Sequence, residues 1–251
     1  IGFLAAGVLL LVLFVWIEVR AAQPLLPLRI VTNRVRGGAF LMQAVAGSVM
    51  IGATLYLAFH LQIVLGMAPF QAGLANLPLV LAIMFVAPIA TKLLPIIGPR
   101  PMMIGGPLLA ALGLLYLSQI TADGSYFVQV LPALVVMGLG MGFIFIPLQN
   151  LALSGVAPHD AGAASATANS AMQIGGSIGV SVFTAVYVQA AGSTEGLRGN
   201  ALLDAFAIGY SAAFLTAAVG MVLAAVIAAV LIRGPKSELL PQGETPVLAH
   251  A

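Results

Sequence analysis

The sequence contains no cysteine, which excludes disulfide cross-links and thiolate metal sites. Charge is almost as scarce. Asp, Glu, Lys and Arg make up 6% of the 251 residues, where a soluble domain carries about 25%. So few charges cannot cover a surface that faces water, and the chain reads as a polytopic integral membrane protein. The net charge of +2 is too small and too scattered for a nucleic-acid surface. There are only 3 histidines, and no His–Glu pair stands at helical spacing, so an intramembrane metalloenzyme lacks its ligands. A retinal protein needs a lysine deep in its last helix, and 205–232 contains none. No Asp, Glu, Lys or Arg falls near the middle of any apolar run, although such residues are the usual mark of proton relays.

Apolar runs fill the chain instead: 61% of residues are hydrophobic and the mean hydropathy is +1.13. About 20 residues at ~1.5 Å rise each cross a hydrocarbon core. Seven runs qualify, over about 1–17, 37–60, 72–94, 102–120, 126–151, 161–187 and 205–232. The expected fold class is therefore all-α. A polar connection over 18–36 follows the first run, and a tail over 233–251 without apolar period is expected to be disordered. Ile1 already lies within an apolar run, so the sequence reads as part of a longer chain that starts upstream, and no signal peptide can be read from it.

The stretch 131–182 organises the rest. Its two runs are rich in glycine and alanine and flank one short polar turn, Ala157-Pro158-His159-Asp160. In water each helical glycine costs about 1 kcal/mol relative to alanine. In a bilayer the backbone must satisfy itself and small residues let helices approach closely. Gly138 and Gly142 form one small-xxx-small pair and Gly175 and Gly179 another, with Pro147 between them. Packing is the first reading of all five, and a rocking interface its functional extension.

Polar residues inside the spans are the candidates for a cavity. Gln43, Met50 and Thr54 share one helical face. Ser165, Asn169 and Gln173 follow at successive i, i+4 steps, which makes cavity lining the favoured reading over helix–helix contact. Asn76, before Leu77-Pro78, either caps a helix break or faces the cavity. Gln149 and Asn150 read as an interfacial polar end, His60 as a solvated helix end, and Asp160 as an N-cap.

Arginine placement gives the orientation. If the connection holding Arg20, Arg29, Arg34 and Arg36 is cytoplasmic, alternation puts every basic residue except Arg198 on that side, including Arg233 and Lys236 near the C-terminus.

Several stretches together resemble a known family. They are Pro24-Leu25-Leu26-Pro27-Leu28 with Asn33-Arg34, then 61–74 (LQIVLGMAPFQAGL) with Leu77-Pro78, then Gly138 to Pro147 and Gly162 to Gly179. The chain resembles the C-terminal half of a fourteen-helix drug:proton antiporter of the major facilitator superfamily, the multidrug-resistance-B and QacA-like branch. The resemblance implies a six-helix C-terminal bundle over 37–232 preceded by a linker helix over 1–17, in a multi-pass protein of the bacterial inner membrane. It implies small-molecule substrate exported against protons, with no cofactor beyond the coupling ion. It also implies that the proton-coupling carboxylate lies in a missing N-terminal half of the same polypeptide. Gly98 and Arg100 fit a degenerate copy of the superfamily's cytoplasmic loop signature, but no acidic residue precedes Gly98. A dedicated exporter of one metabolite or antibiotic uses the same parts. A seven-helix receptor and a membrane enzyme are the remote alternatives.

Overall fold

The computed structural model describes residues 2–20, 32–153, 156 and 160–232. The Pro24–Leu28 motif, Arg29, most of the Ala157–Asp160 turn and the expected disordered tail lie outside the described residues. All regular structure among the described residues is helical. The order is α1 (Gly2–Arg20), α2 (Arg34–Phe59), α3 (Pro69–Ala75), α4 (Leu77–Ile97), α5 (Pro99–Leu117), α6 (Leu131–Leu153), α7 (Ala161–Ala191) and α8 (Asn200–Leu231). A π-helical turn, His60–Val64, prolongs α2, and another, Tyr126–Val130, leads into α6.

Among the described residues, 6 segments are long and apolar enough to cross a membrane: Arg34–Val64, Pro69–Ile97, Pro99–Leu117, Tyr126–Ala152, Ala161–Ala191 and Asn200–Leu231. The first expected span corresponds to α1, a helix of 19 residues. Every side chain described on α1 is exposed.

Three observed ends differ from the sequence reading. The connection expected between the runs 72–94 and 102–120 is mostly helix, because α4 continues through Pro95 to Ile97 and α5 begins at Pro99. Gly98 alone separates the two, at φ 83°, where only glycine avoids a Cβ clash. Arg34 and Arg36, read as part of a polar connection, lie in the first turn of α2. Asn33 caps that turn by accepting from the amides of Val35 (3.1 Å) and Arg36 (3.2 Å). Asp160 sits before α7 but its side chain makes no capping bond there.

The helices pack as two groups of three. In one, α6 lies between α4 and α5; in the other, α2, α7 and α8 all touch one another, and α5 against α8 joins the groups. Met42, Leu57, Met103, Leu114, Leu134 and Phe214 are among the fully buried side chains at the centre. Outside, Val80, Leu81, Met84, Phe85, Ile208 and Val219 are exposed, a surface suited to acyl chains rather than water.

Small residues set how close the helices come. A Cβ on Gly138 would lie 2.5 Å from the Leu79 carbonyl oxygen, and one on Gly142 2.9 Å from Val86, so the α6 backbone meets the α4 backbone at the first and a side chain at the second. On its other side, a Cβ on Gly140 would lie 2.6 Å from the Gly106 oxygen of α5. Between α2 and α7, Gly175 faces the Ala44 backbone, Gly179 faces Ser48, and Gly47 faces Met172 at 2.6 Å. Pro147 is buried within α6.

At one end of the bundle the last turn of α8 is held from two other helices. The Arg34 guanidinium donates to the Val230 carbonyl at 2.7 Å, and the Arg100 guanidinium to the Ala229 carbonyl at 3.1 Å. Both satisfy carbonyls that a helix C-terminus leaves without intrahelical donors.

Candidate functional site

α7 has two unlike sides. One carries Met172, Gly175, Gly176, Gly179 and Phe183 and is sealed onto α2. The other bears Ser165, Asn169 and Gln173, all exposed, and the row continues through Ser177 and Ser181. Most of these polar groups are already satisfied within the helix. Asn169 Nδ2 donates to the Ser165 carbonyl at 3.1 Å, Ser177 Oγ to the Gln173 carbonyl at 3.0 Å, and Ser181 Oγ to the Ser177 carbonyl at 2.9 Å. Such back-bonding lets a helix carry polar side chains in an apolar medium. The carbonyl oxygen of Asn169 and the whole amide of Gln173 lie on this exposed face and supply hydrogen-bonding capacity for a ligand.

The other cavity candidates do not gather with this stripe. Gln43 is 3% exposed and sits in the α2–α7 seam, donating from Nε2 to Met172 Sδ at 3.5 Å. Its depth follows from Gly47 one turn on, which draws Met172 onto α2. Met50 is half-buried against the central core, and Thr54 is half-buried on the same face. Asn76 marks the break between α3 and α4; Nδ2 donates to the Ala72 carbonyl at 2.9 Å while Oδ1 is buried without a partner. Gln149 is exposed and Asn150 returns its Nδ2 to the Ile146 carbonyl at 2.9 Å. Gly98 is buried at the α4–α5 junction, and Arg100 is engaged with α8 as described.

His60 is not a solvated helix end. It is 1% exposed, because the π-helical turn carries the chain onward and Tyr210 of α8 packs edge-on against its ring at 5.9 Å. Its Nδ1 is buried without a hydrogen-bond partner.

The sequence reading also missed a cluster of rings. Of 5 tyrosines, Tyr56, Tyr187 and Tyr210 converge from α2, α7 and α8. Tyr187 stacks on Tyr210 at 5.0 Å between centroids, and Tyr56 stands 5.6 Å from Tyr187 and 6.0 Å from Tyr210. They border a cleft of about 360 Å³ that opens past Phe59, Ile63 and Val188. Its origin is local. The small-residue seam between α2 and α7 reaches Gly52 and Phe183, and beyond it Leu55, Tyr56, Tyr187 and Val188 line the cleft. A sequence signal existed: Gly52, Tyr56, Phe59 and Ile63 form a second stripe along α2 and the π-helical turn that prolongs it, and Tyr187 and Tyr210 flank one hairpin connection.

Comparison with known proteins adds the following. Residues 1–180 match the family profile described as Major Facilitator Superfamily. The chain is 39% identical over 238 residues to a puromycin resistance protein of Streptomyces alboniger, covering 92% of this chain and 47% of that protein. It is 34% identical over 230 residues to a cephamycin export protein of Amycolatopsis lactamdurans, covering 91% and 46% respectively. It is 32% identical over 244 residues to a lincomycin resistance protein of Streptomyces lincolnensis, covering 95% and 47%. The chain thus spans about half the length of the curated relatives it matches.

Proposed function

Because the chain belongs to the Major Facilitator Superfamily, a family of transporters rather than enzymes, we propose that it is the C-terminal half of a fourteen-helix exporter that expels amphipathic or cationic drugs in exchange for protons. The observation that carries the reading is α7. One side of it is fused to α2 through glycine, while the other holds exposed amides and hydroxyls in a bundle otherwise surfaced with hydrocarbon. A polar face exposed in this setting is suited to a central cavity shared with an upstream bundle, and alternating access would come from the two bundles rocking about it. The basic residues at the Arg34 and Arg100 end support a cytoplasmic placement of that end and of the C-terminus, in a bacterial inner membrane. The coupling carboxylate belongs to the upstream half.

The test is drug-induced proton movement in everted membrane vesicles. With a pH gradient established, the native-length chain dissipates the gradient when an amphipathic cation is added, and the present chain alone does not. A native-length chain that fails to respond to a broad panel of compounds overturns multidrug export.

A second reading has its own support. The names of these three relatives each specify a single antibiotic or antibiotic type, puromycin, cephamycin or lincomycin. A dedicated exporter of one such compound uses the same cavity, and the vesicle assay separates it by responding to one member of the panel alone.

A further inference from the structure

We propose that the cleft bounded by Tyr56, Tyr187 and Tyr210 is a binding subsite for an uncharged aromatic ring of an organic ligand, set apart from the polar stripe of α7. The inference rests on the transporter reading only in that the ligand is taken to be a compound the protein handles.

The rings are held in place from behind. Tyr210 is 2% exposed and Tyr56 4% exposed, so both are fixed walls. A Cβ on Gly209 would lie 2.6 Å from the Tyr187 ring, so Tyr187 lies directly on bare α8 backbone before stacking on Tyr210. His60 closes the far edge of Tyr210 at 84°. Three walls from three helices make a preformed pocket, and its volume of about 360 Å³ is within the range that takes part of a drug-sized molecule.

The chemistry of the lining selects the ligand. Among the described residues, no charged side chain borders the cleft. Its hydrogen-bonding groups are largely spent: Tyr56 Oη donates to Thr184 Oγ1 at 2.7 Å, and Thr184 Oγ1 donates to the Val180 carbonyl at 2.7 Å. What remains on offer is ring surface, which pairs with another ring by offset stacking or edge contact. Among the described residues the lining holds no carboxylate, so the cleft offers a ligand ring faces and edges rather than an ion pair.

The experiment uses the purified native-length protein in detergent and the uncharged fluorescent probe dansylamide, read by anisotropy. Unlabelled naphthalenesulfonamide should displace the probe, and cyclohexanesulfonamide should do so at least about tenfold less well. Tyr187→Leu should weaken binding about tenfold, and Tyr187→Phe should stay within about twofold because the ring is kept. Val188→Trp, placed on the exposed rim, fills the mouth without touching the core and should abolish displaceable binding even if Tyr187→Leu does not fold. Absence of displaceable binding by the parent protein overturns the assignment. So does equal competition by the saturated analogue, or unchanged affinity in Val188→Trp. Failure of export in vesicles with ring-selective binding intact counts against the exporter reading and leaves the subsite standing.

Discussion

At the scale of single residues, glycines of similar appearance in the sequence meet different surroundings. Gly175 abuts the Ala44 backbone, which cannot yield, whereas Gly105 has nothing within 4 Å of where a Cβ would stand. Gly175→Ala should therefore cost about 1–3 kcal/mol through overpacking, and Gly105→Ala should be neutral or gain up to about 1 kcal/mol of helix propensity. Thermal unfolding of the native-length protein in detergent, followed by monodispersity, reads both. Asn169 makes the opposite test. It is exposed and bonded only within its own helix, so Asn169→Ala should change substrate preference more than protein abundance. Loss of all substrates together with loss of protein would make it a packing residue. The identity of polar side chains within spans was legible in the sequence. Their exposure was not, since Gln43 and Gln173 read alike yet one is sealed in a seam and the other faces outward.

At the scale of elements, helix existence was easy to read and helix ends were not. Proline, glycine and charge mark a loop in water, and on that basis Lys92 to Pro101 read as a connection. In an apolar medium a helix tolerates proline where neighbours re-satisfy its backbone. A lysine near a helix end extends its ammonium toward the polar boundary. Hence α4 continues to Ile97 and the whole turn shrinks to Gly98. The interruption at Asn76-Leu77-Pro78 did coincide with the break between α3 and α4, because proline at a helix start gives the same signal in either solvent. The π-helical turn at His60–Val64 left no mark in composition. The end of α8 yields the prediction at this scale. Arg34→Ala and Arg100→Ala each remove a charged donor from exposed carbonyls, so each should cost about 1 kcal/mol or less. Hydrogen exchange should quicken in the last turn of α8 in either variant and most in the double variant. Unchanged exchange there would show that packing alone holds that turn.

For the whole molecule, composition was enough to exclude a soluble protein and to set an all-helical fold, because hydrocarbon leaves the backbone few alternatives. Which helices would touch was legible only in part. Glycine spacing pointed to close contact, but nothing in the spacing paired α7 with α2 or α6 with both α4 and α5. The tyrosine cleft was illegible for the same reason, since its walls come from three helices distant in sequence. With the relatives about twice as long as this chain, a transport assay should separate the native-length protein from the present chain expressed alone: vesicles bearing only 1–251 should show no drug-dependent proton flux. Flux from the shorter chain would place the coupling group within it. The two guanidiniums on α8 have one more consequence, for the order in which the protein is made. Arg34 and Arg100 are translated long before their acceptors, 196 residues before Val230 and 129 before Ala229. Until the final span has been made, neither guanidinium has these acceptors. The two bonds that hold the end of α8 therefore form only once that helix has been made, and a chain stalled before Ala229 lacks both.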